Sequence, residues 1–169
     1  AGQPYTQCVA YSNDAGQTWV KYARNPVLPN IINENRDPKV VWHAPTGRWI
    51  MILFLDGNDY GLFSSPDLKT WTPLQTFTVP GCSECPDFFE MAVAGEEERT
   101  RWVFTAANGR YLAGTFDGYR FAPEVGPLRV EHGKNCYAVQ TFSDVLDGRR
   151  IQLAWMAGGK YPGMAFNQQ

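Results

Sequence analysis

The sequence predicts an all-β protein built as an open arc of β-propeller blades. Three observations carry that expectation. Apolar residues recur with period two in short runs, and the runs fall into sets of four. A turn signature returns roughly every 50 residues, close to the length of one four-stranded blade. No segment shows the spacing of an amphipathic helix.

The elements follow in order. The chain opens on the end of one blade, to about Asn30. A full blade over about 36–80 contains runs at Lys39–Trp42, Trp49–Leu55, Tyr60–Ser64 and Trp71–Val79. The connectors carry turn formers: Ala44-Pro45-Thr46-Gly47, Asp56-Gly57-Asn58-Asp59 and Ser65-Pro66-Asp67. A second full blade over about 84–128 has runs at Phe88–Ala94, Arg101–Ala106, Tyr111–Thr115 and Tyr119–Phe121. Half of a further blade begins near 135, with Tyr137–Phe142 and Arg150–Met156. The recurring signature is Ser12-Asn13-Asp14 before Trp19, Ser65-Pro66-Asp67 before Trp71, and Thr115-Phe116-Asp117 before Phe121. In each, the Asp is placed to accept bonds from the turn's own N–H groups while the ring tucks under the hairpin.

So few blades cannot close a ring, since propellers typically have about four to eight. An open arc leaves apolar blade faces uncovered. The rest of the ring therefore lies outside this sequence, or other copies or chains supply it by association through the open edges.

Composition narrows the function. Of 169 residues, 44% are apolar, which fits a globular domain with a core. The net charge of −2 and the lack of a basic block argue against nucleic acid as a partner. No apolar run approaches the length of a membrane-spanning helix. Six Trp, within an aromatic share of 14%, exceed ordinary core needs and suit a carbohydrate surface, although a β-rich core accounts for most of them. The four cysteines include Cys82-x-x-Cys85, but the pair precedes a strand rather than a helix, and no second pair of ligands lies at zinc spacing. Unpaired structural thiols are expected, with no metal and no cofactor.

Two acidic motifs stand where innermost strands begin: Arg36-Asp37-Pro38 and Glu84-Cys85-Pro86-Asp87. In a propeller the first strand of each blade lines the central channel. Asp37 and Glu84 would then share one end of that channel, one blade apart. A third such position falls at Asn135-Cys136-Tyr137. Either motif alone is compatible with a structural ion pair; their matched placement makes a pocket.

These motifs resemble those of glycoside hydrolase family 32, the invertase, levanase and inulinase family. Arg36-Asp37-Pro38 looks like its RDP motif, and Glu84-Cys85-Pro86-Asp87-Phe88-Phe89-Glu90 like its EC motif and the segment after it. Gly133–Phe142 is similar to the family's fourth-blade strand, and Gly148–Met156 to the strand that follows. The resemblance covers the whole chain. It implies about blades two to four of a five-bladed propeller, residues 1–169 being part of a catalytic domain that hydrolyses β-fructosidic bonds in fructans or sucrose with retention. It assigns Glu84 as general acid/base and Asp37 as transition-state stabiliser. It makes Arg36, Tyr137 and Trp155 substrate-binding residues, Arg36 also orienting the carboxylates. A general acid needs a raised pKa, so neighbouring carboxylates and a ring-lined pocket are expected to push Glu84 up.

The departures are as informative. The family's nucleophile is an Asp in a Trp-Met-Asn-Asp-Pro type motif upstream of RDP, and this sequence has none. Asp14 belongs to a blade turn and cannot replace it. Retention needs two carboxyls about 5–5.5 Å apart, of which the chain supplies one. No sequence for the β-sandwich that usually follows the propeller is present. Ser83 stands where an aromatic commonly precedes the EC motif, and Asn135-Cys136 where Asp-Phe is common. The isolated chain is therefore expected to be inactive. A related five-bladed glycosidase of arabinanase or xylosidase type, and a non-catalytic carbohydrate-binding propeller, are the alternatives. The Glu-Cys-Pro-Asp-Phe segment argues against the first. Fructose binding that survived Glu84→Ala and Asp37→Ala would identify the second. A secreted or periplasmic setting is favoured, though no targeting segment is legible at Ala1.

Overall fold

In a computed structural model the chain is all-β. The structure describes residues 4–158 and Gly163. Two four-stranded antiparallel sheets lie between two hairpins. The first hairpin is β1 (Ala10–Tyr11) with β2 (Val20–Lys21). The first complete blade is β3 (Arg36–His43), β4 (Arg48–Asp56), β5 (Asp59–Ser65) and β6 (Thr72–Thr78), hydrogen-bonded in that order. The second is β7 (Asp87–Val93), β8 (Glu96–Thr105), β9 (Arg110–Phe116) and β10 (Phe121–Arg129). The last hairpin is β11 (Cys136–Thr141) with β12 (Gln152–Met156). A single 3₁₀ turn at Ala44–Thr46 joins β3 to β4, and no α-helix occurs among the described residues. Meandering sheets whose first strands pack side by side (β3 on β7, β7 on β11) make an open propeller arc.

The β4 run Ile50-Met51-Ile52-Leu53-Phe54-Leu55 does not alternate because both of its faces are covered. Ile50, Ile52 and Phe54 point into the core between the two complete blades, while Met51, Leu53 and Leu55 meet Leu28 and Phe63 on the other side. The inter-blade core is largely aromatic. Tyr60 and Phe104 meet edge-on at 4.7 Å between ring centroids, Phe77 and Phe104 at 5.4 Å, and Phe88 and Phe121 at 5.3 Å. Such pairs add to the burial of their area. Gln75 closes the outer edge of this interface. Its amide donates to the Phe121 carbonyl at 3.0 Å and accepts from the Phe121 N–H at 2.7 Å.

The blade turns form as their sequence predicts. Asp14 Oδ1 accepts from Thr18 N at 2.9 Å, Asp67 Oδ1 from Thr70 N at 2.8 Å, and Asp117 Oδ1 from Arg120 N at 2.7 Å. Bonds from Ser12 and Thr18 hold the Asp14 carboxyl down at about 2. The rings differ in their burial. Phe121 is buried and Trp71 half-buried, but Trp19 is 65% exposed. Gly118, with φ +93°, seats one turn against the preceding blade, where a Cβ would stand 2.5 Å from Thr46 Cγ2.

Two strands depart from expectation: β8 begins at Glu96, five residues before the run expected from Arg101, and β10 departs further. The outermost strand of the second blade begins at Phe121 and runs to Arg129, through Pro123, Gly126 and Pro127. Those residues read as breakers in sequence, yet an edge strand needs only one row of backbone bonds. The register shifts near Pro123 and Val125 absorb the missing donors.

Candidate active site

The site is built where three innermost strands begin. Each of these starts contains a residue with left-handed backbone: Asp37 at φ +59°, Cys85 at +40° and Ala138 at +52°. Non-glycine residues adopt this conformation at a cost of about 1–2 kcal/mol, so its recurrence in three blades marks a built feature. The residues just before them, Arg36, Glu84 and Tyr137, bring their side chains together. Sequence spacing matched Asp37 to Glu84. Glu84 is itself left-handed at φ +58°, so two successive residues, Glu84 and Cys85, share the conformation that Asp37 adopts alone.

Arg36 Nη2 donates to Glu84 Oε1 at 2.5 Å, and the Tyr137 hydroxyl donates to Glu84 Oε2. Arg36 also reaches Glu34 Oε2 at 2.9 Å, and its Nε stands 3.9 Å from Asp37 Oδ2. Its guanidinium lies over the Phe54 ring at 5.0 Å and the Tyr5 ring at 5.5 Å, which fixes its plane. Asp37 Oδ2 accepts from the Cys85 N–H at 3.0 Å and faces the Cys85 thiol at 3.7 Å. Trp155 sits opposite Tyr137 in the β11–β12 ladder, rings edge-on at 6.2 Å. All five residues singled out in sequence therefore fall in one cluster. A cavity of about 380 Å³ lined by Asn108, Arg110, Glu131, Asn135 and Tyr137 adjoins it.

The electrostatics correct one expectation. Glu84 is not pushed up. The Tyr137 hydroxyl and then the Arg36 guanidinium bond its charged form and hold the carboxyl below the usual range, outweighing partial burial. In return the Tyr137 phenol is pushed up to about 12, and Arg36 is raised by Glu84. Of the neighbouring carboxylates, Asp37 is separated from Glu84 by Arg36, which reaches both.

Cys82 and Cys85 are both free thiols. Cys82 is buried in the inter-blade core. Cys85 touches Asp37, and burial followed by the charge of Asp37 pushes its thiol up to about 11, which keeps it protonated.

Sequence reasoning missed Asp87, Lys39 and Gln140. Asp87 is fully buried among the inner strands, with Lys39 Nζ 3.6 Å from its Oδ1. Gln140 Nε2 donates to the carbonyls of Cys85 at 3.3 Å and Pro86 at 3.1 Å. The available signal was a charged residue opening each of two otherwise apolar inner strands.

Comparison with known proteins agrees with this geometry. The family model described as "Glycosyl hydrolases family 32 N-terminal domain" matches residues 2–167. A levanase of Bacillus subtilis is 38% identical over 92% of the chain, and an extracellular exo-inulinase of Meyerozyma guilliermondii is 39% identical over 95%. The chain spans 26% and 34% of those proteins' lengths. A fructofuranosidase from Schwanniomyces occidentalis, solved with fructose, superposes with a TM-score of 0.80 at 34% identity, over 89% of this chain and 32% of that one. An exo-inulinase from Aspergillus awamori superposes with a TM-score of 0.84 at 25% identity, over 96% of this chain and 38% of that one. These relatives are glycoside hydrolases of the fructosidase type, and the open arc of sheets is part of their five-bladed propeller. The chain belongs to glycoside hydrolase family 32.

Proposed function

We propose that this chain forms about blades two to four of a retaining β-fructosidase that cleaves β-fructosidic bonds in fructans or sucrose. The observation that carries the reading is the meeting of Arg36, Glu84 and Tyr137 from three blades beside Asp37. Glu84 protonates the departing sugar oxygen and later activates water. Asp37 holds fructose hydroxyls and steadies the oxocarbenium-like transition state. Arg36 orients both carboxylates. Tyr137 and Trp155 form a wall against which the sugar ring rests. The cavity beside Tyr137 gives the rest of the substrate a polar place to lie.

The nucleophile is an Asp supplied by sequence outside this chain. Its arrival also addresses the charge state of Glu84. In the present arrangement Glu84 is held as an anion, but an acid must be protonated to act. A second carboxylate close by, together with a sugar that excludes water, raises the Glu84 pKa against the pull of Tyr137 and Arg36.

The reading is tested by assaying the 169-residue chain and the complete five-bladed protein on sucrose, levan and inulin. The complete protein is expected to release fructose and to lose that activity on Glu84→Gln, while the short chain is expected to be inert. Turnover by the short chain that Glu84→Gln abolished would show that no outside carboxylate is needed.

A further inference from the structure

Beneath the cluster that holds Glu84 lies a second one with the same plan. Asp87 is fully buried. Its Oδ2 accepts from the Thr141 N–H of β11 at 2.5 Å. Its Oδ1 accepts from the Phe88 N–H at 2.8 Å and faces Lys39 Nζ of β3 at 3.6 Å. Lys39 closes the loop by donating to the Thr141 carbonyl at 2.6 Å. Lys39, Asp87 and Thr141 thus tie together the innermost strands of three blades, β3, β7 and β11.

The two clusters draw on the same three strands, with a register shift separating the rows in β3 (Arg36/Lys39) and in β11 (Tyr137/Gln140). Arg36 and Lys39 come from one strand, Glu84 and Asp87 lie at the start of the next, and Tyr137 and Thr141 come from the third. The upper row, Arg36–Glu84–Tyr137, borders the channel and is partly exposed. The lower row is dry on the carboxylate side. A one-residue slip of any of these strands would break both rows together.

A buried ion pair is poor evidence for stability, because desolvation offsets its attraction and an apolar pair often does as well. Its best-attested use is to fix register. Glu84 needs such a device. It sits outside regular strand with left-handed backbone (φ +58°), held within its own blade by one backbone bond, from the Ala107 N–H to its carbonyl at 3.2 Å, which leaves the side chain free to be aimed by other blades. Its partners come from two other sheets.

We propose that Asp87 is a positioning residue for Glu84: by pinning β3 and β11 to β7 through Lys39 and Thr141, it sets the height at which Arg36 and Tyr137 grip the acid/base. This rests on the functional reading above for the role of Glu84, but not for the geometry.

The test uses the complete five-bladed protein with Asp87→Asn, and with Lys39→Gln as the milder change should Asp87→Asn fail to fold. Two substrates separate positioning from general damage. Sucrose leaves as a sugar hydroxyl and needs a proton, whereas p-nitrophenyl β-fructofuranoside leaves as a stable phenolate. For Asp87→Asn, kcat/KM on sucrose is expected to fall by roughly 100-fold, the lower end of the range for acid catalysis, and on the aryl fructoside by less than about 5-fold. Lys39→Gln should show the same split at roughly 10-fold against little change. Equal losses on the two substrates, or no loss, would overturn the proposal.

A second readout needs no substrate. Titration of a ¹³C-labelled Glu84 carboxyl, with Arg36, Tyr137, Asp37, Cys85 and, across Arg36, Glu34 as the charged or titratable groups around it, should move toward the ordinary carboxylate value in either variant. An unmoved titration would overturn the positioning claim. If wild-type protein hydrolysed no β-fructoside, the functional reading would fall while the titration still decided this one.

Discussion

The inter-blade core and the rim of the channel are built from the same strands to opposite rules. In the core, Ile50, Phe54, Tyr60, Phe88 and Phe104 are essentially free of solvent and packed ring against ring. At the rim, the same sheets begin with left-handed residues, a buried charge and a carboxylate held by two blades. The core can accept any well-fitting apolar set of the same volume. The rim cannot, because each of its groups is aimed at a group on another sheet. The core holds the blades side by side, and the rim spends some of that stability on geometry.

The sharpest way to separate the two regions is Phe104→Ala. The ring is fully buried against Tyr60 and Phe77, so its loss leaves a cavity and should cost about 3–5 kcal/mol. Denaturant unfolding of the complete protein measures the cost. In molecules that remain folded, the pH dependence of hydrolysis should be unchanged. A shifted pH profile would mean that core and rim are not separable.

The reverse substitution is Glu84→Gln. It preserves the shape of the side chain and should lower stability only modestly at neutral pH, since the carboxylate bonded by Tyr137 and Arg36 is partly exposed. Removing an acid/base should lower kcat/KM on sucrose by roughly 10³-fold. Loss of folding in place of loss of rate would transfer Glu84 to the structural side of the comparison.

The core was legible in sequence and the rim only in part, for a physical reason. Apolar period, four-strand grouping and turn signatures depend on local chemistry, so β3 to β7 and β9 appear close to where their residues predict, while the polar start of β8, from Glu96, carries no apolar signal. Asp14, Asp67 and Asp117 bond their own turns, which sequence alone can foresee. The β10 strand was misread because edge position, a tertiary fact, excuses Pro123 and Pro127. At the rim, the residue types pointed to Asp37, Glu84, Arg36, Tyr137 and Trp155. Their interactions did not follow. Whether Glu84 is raised or lowered depends on which of Arg36, Tyr137 and Asp37 touches it, and those contacts cross blades. Asp87 and Lys39 went unnoticed because a charge at the start of a strand looks like an ordinary strand end until its burial is seen.

A smaller effect sharpens the account of charge. Tyr137→Phe removes the stronger of the two bonds that hold Glu84 down, so the carboxyl should rise toward its ordinary value. The sign of the stability change follows. A depressed carboxyl stabilises the fold above its unfolded pKa and loses that contribution as pH falls through the folded one. Wild type should therefore exceed the variant in stability at neutral pH, and the gap should close in acid below the carboxylate range. The alkaline limb of kcat/KM, which reports the acid in the free enzyme, should move to higher pH in Tyr137→Phe. Movement to lower pH would show that the hydroxyl does not favour the charged form.

The smallest effect addresses the strain itself. Ala138 has φ +52° and a side chain of one methyl, while its N–H donates to the Ala107 carbonyl at 2.7 Å. Ala138→Gly relieves the steric cost of left-handed backbone and loosens the unfolded chain. The first effect is the larger, so the fold should gain about 0.5–1 kcal/mol. Asp37 is the equivalent residue at φ +59°, and Asp37→Gly relieves the same strain. That change also removes the acceptor of the Cys85 N–H and the carboxylate proposed to steady the transition state. Thermal unfolding paired with sucrose hydrolysis should then show Ala138→Gly gaining stability at full rate, while Asp37→Gly loses rate. If both variants lost rate alike, the left-handed turn itself would be what the chemistry needs, and the side chain at position 37 would be incidental.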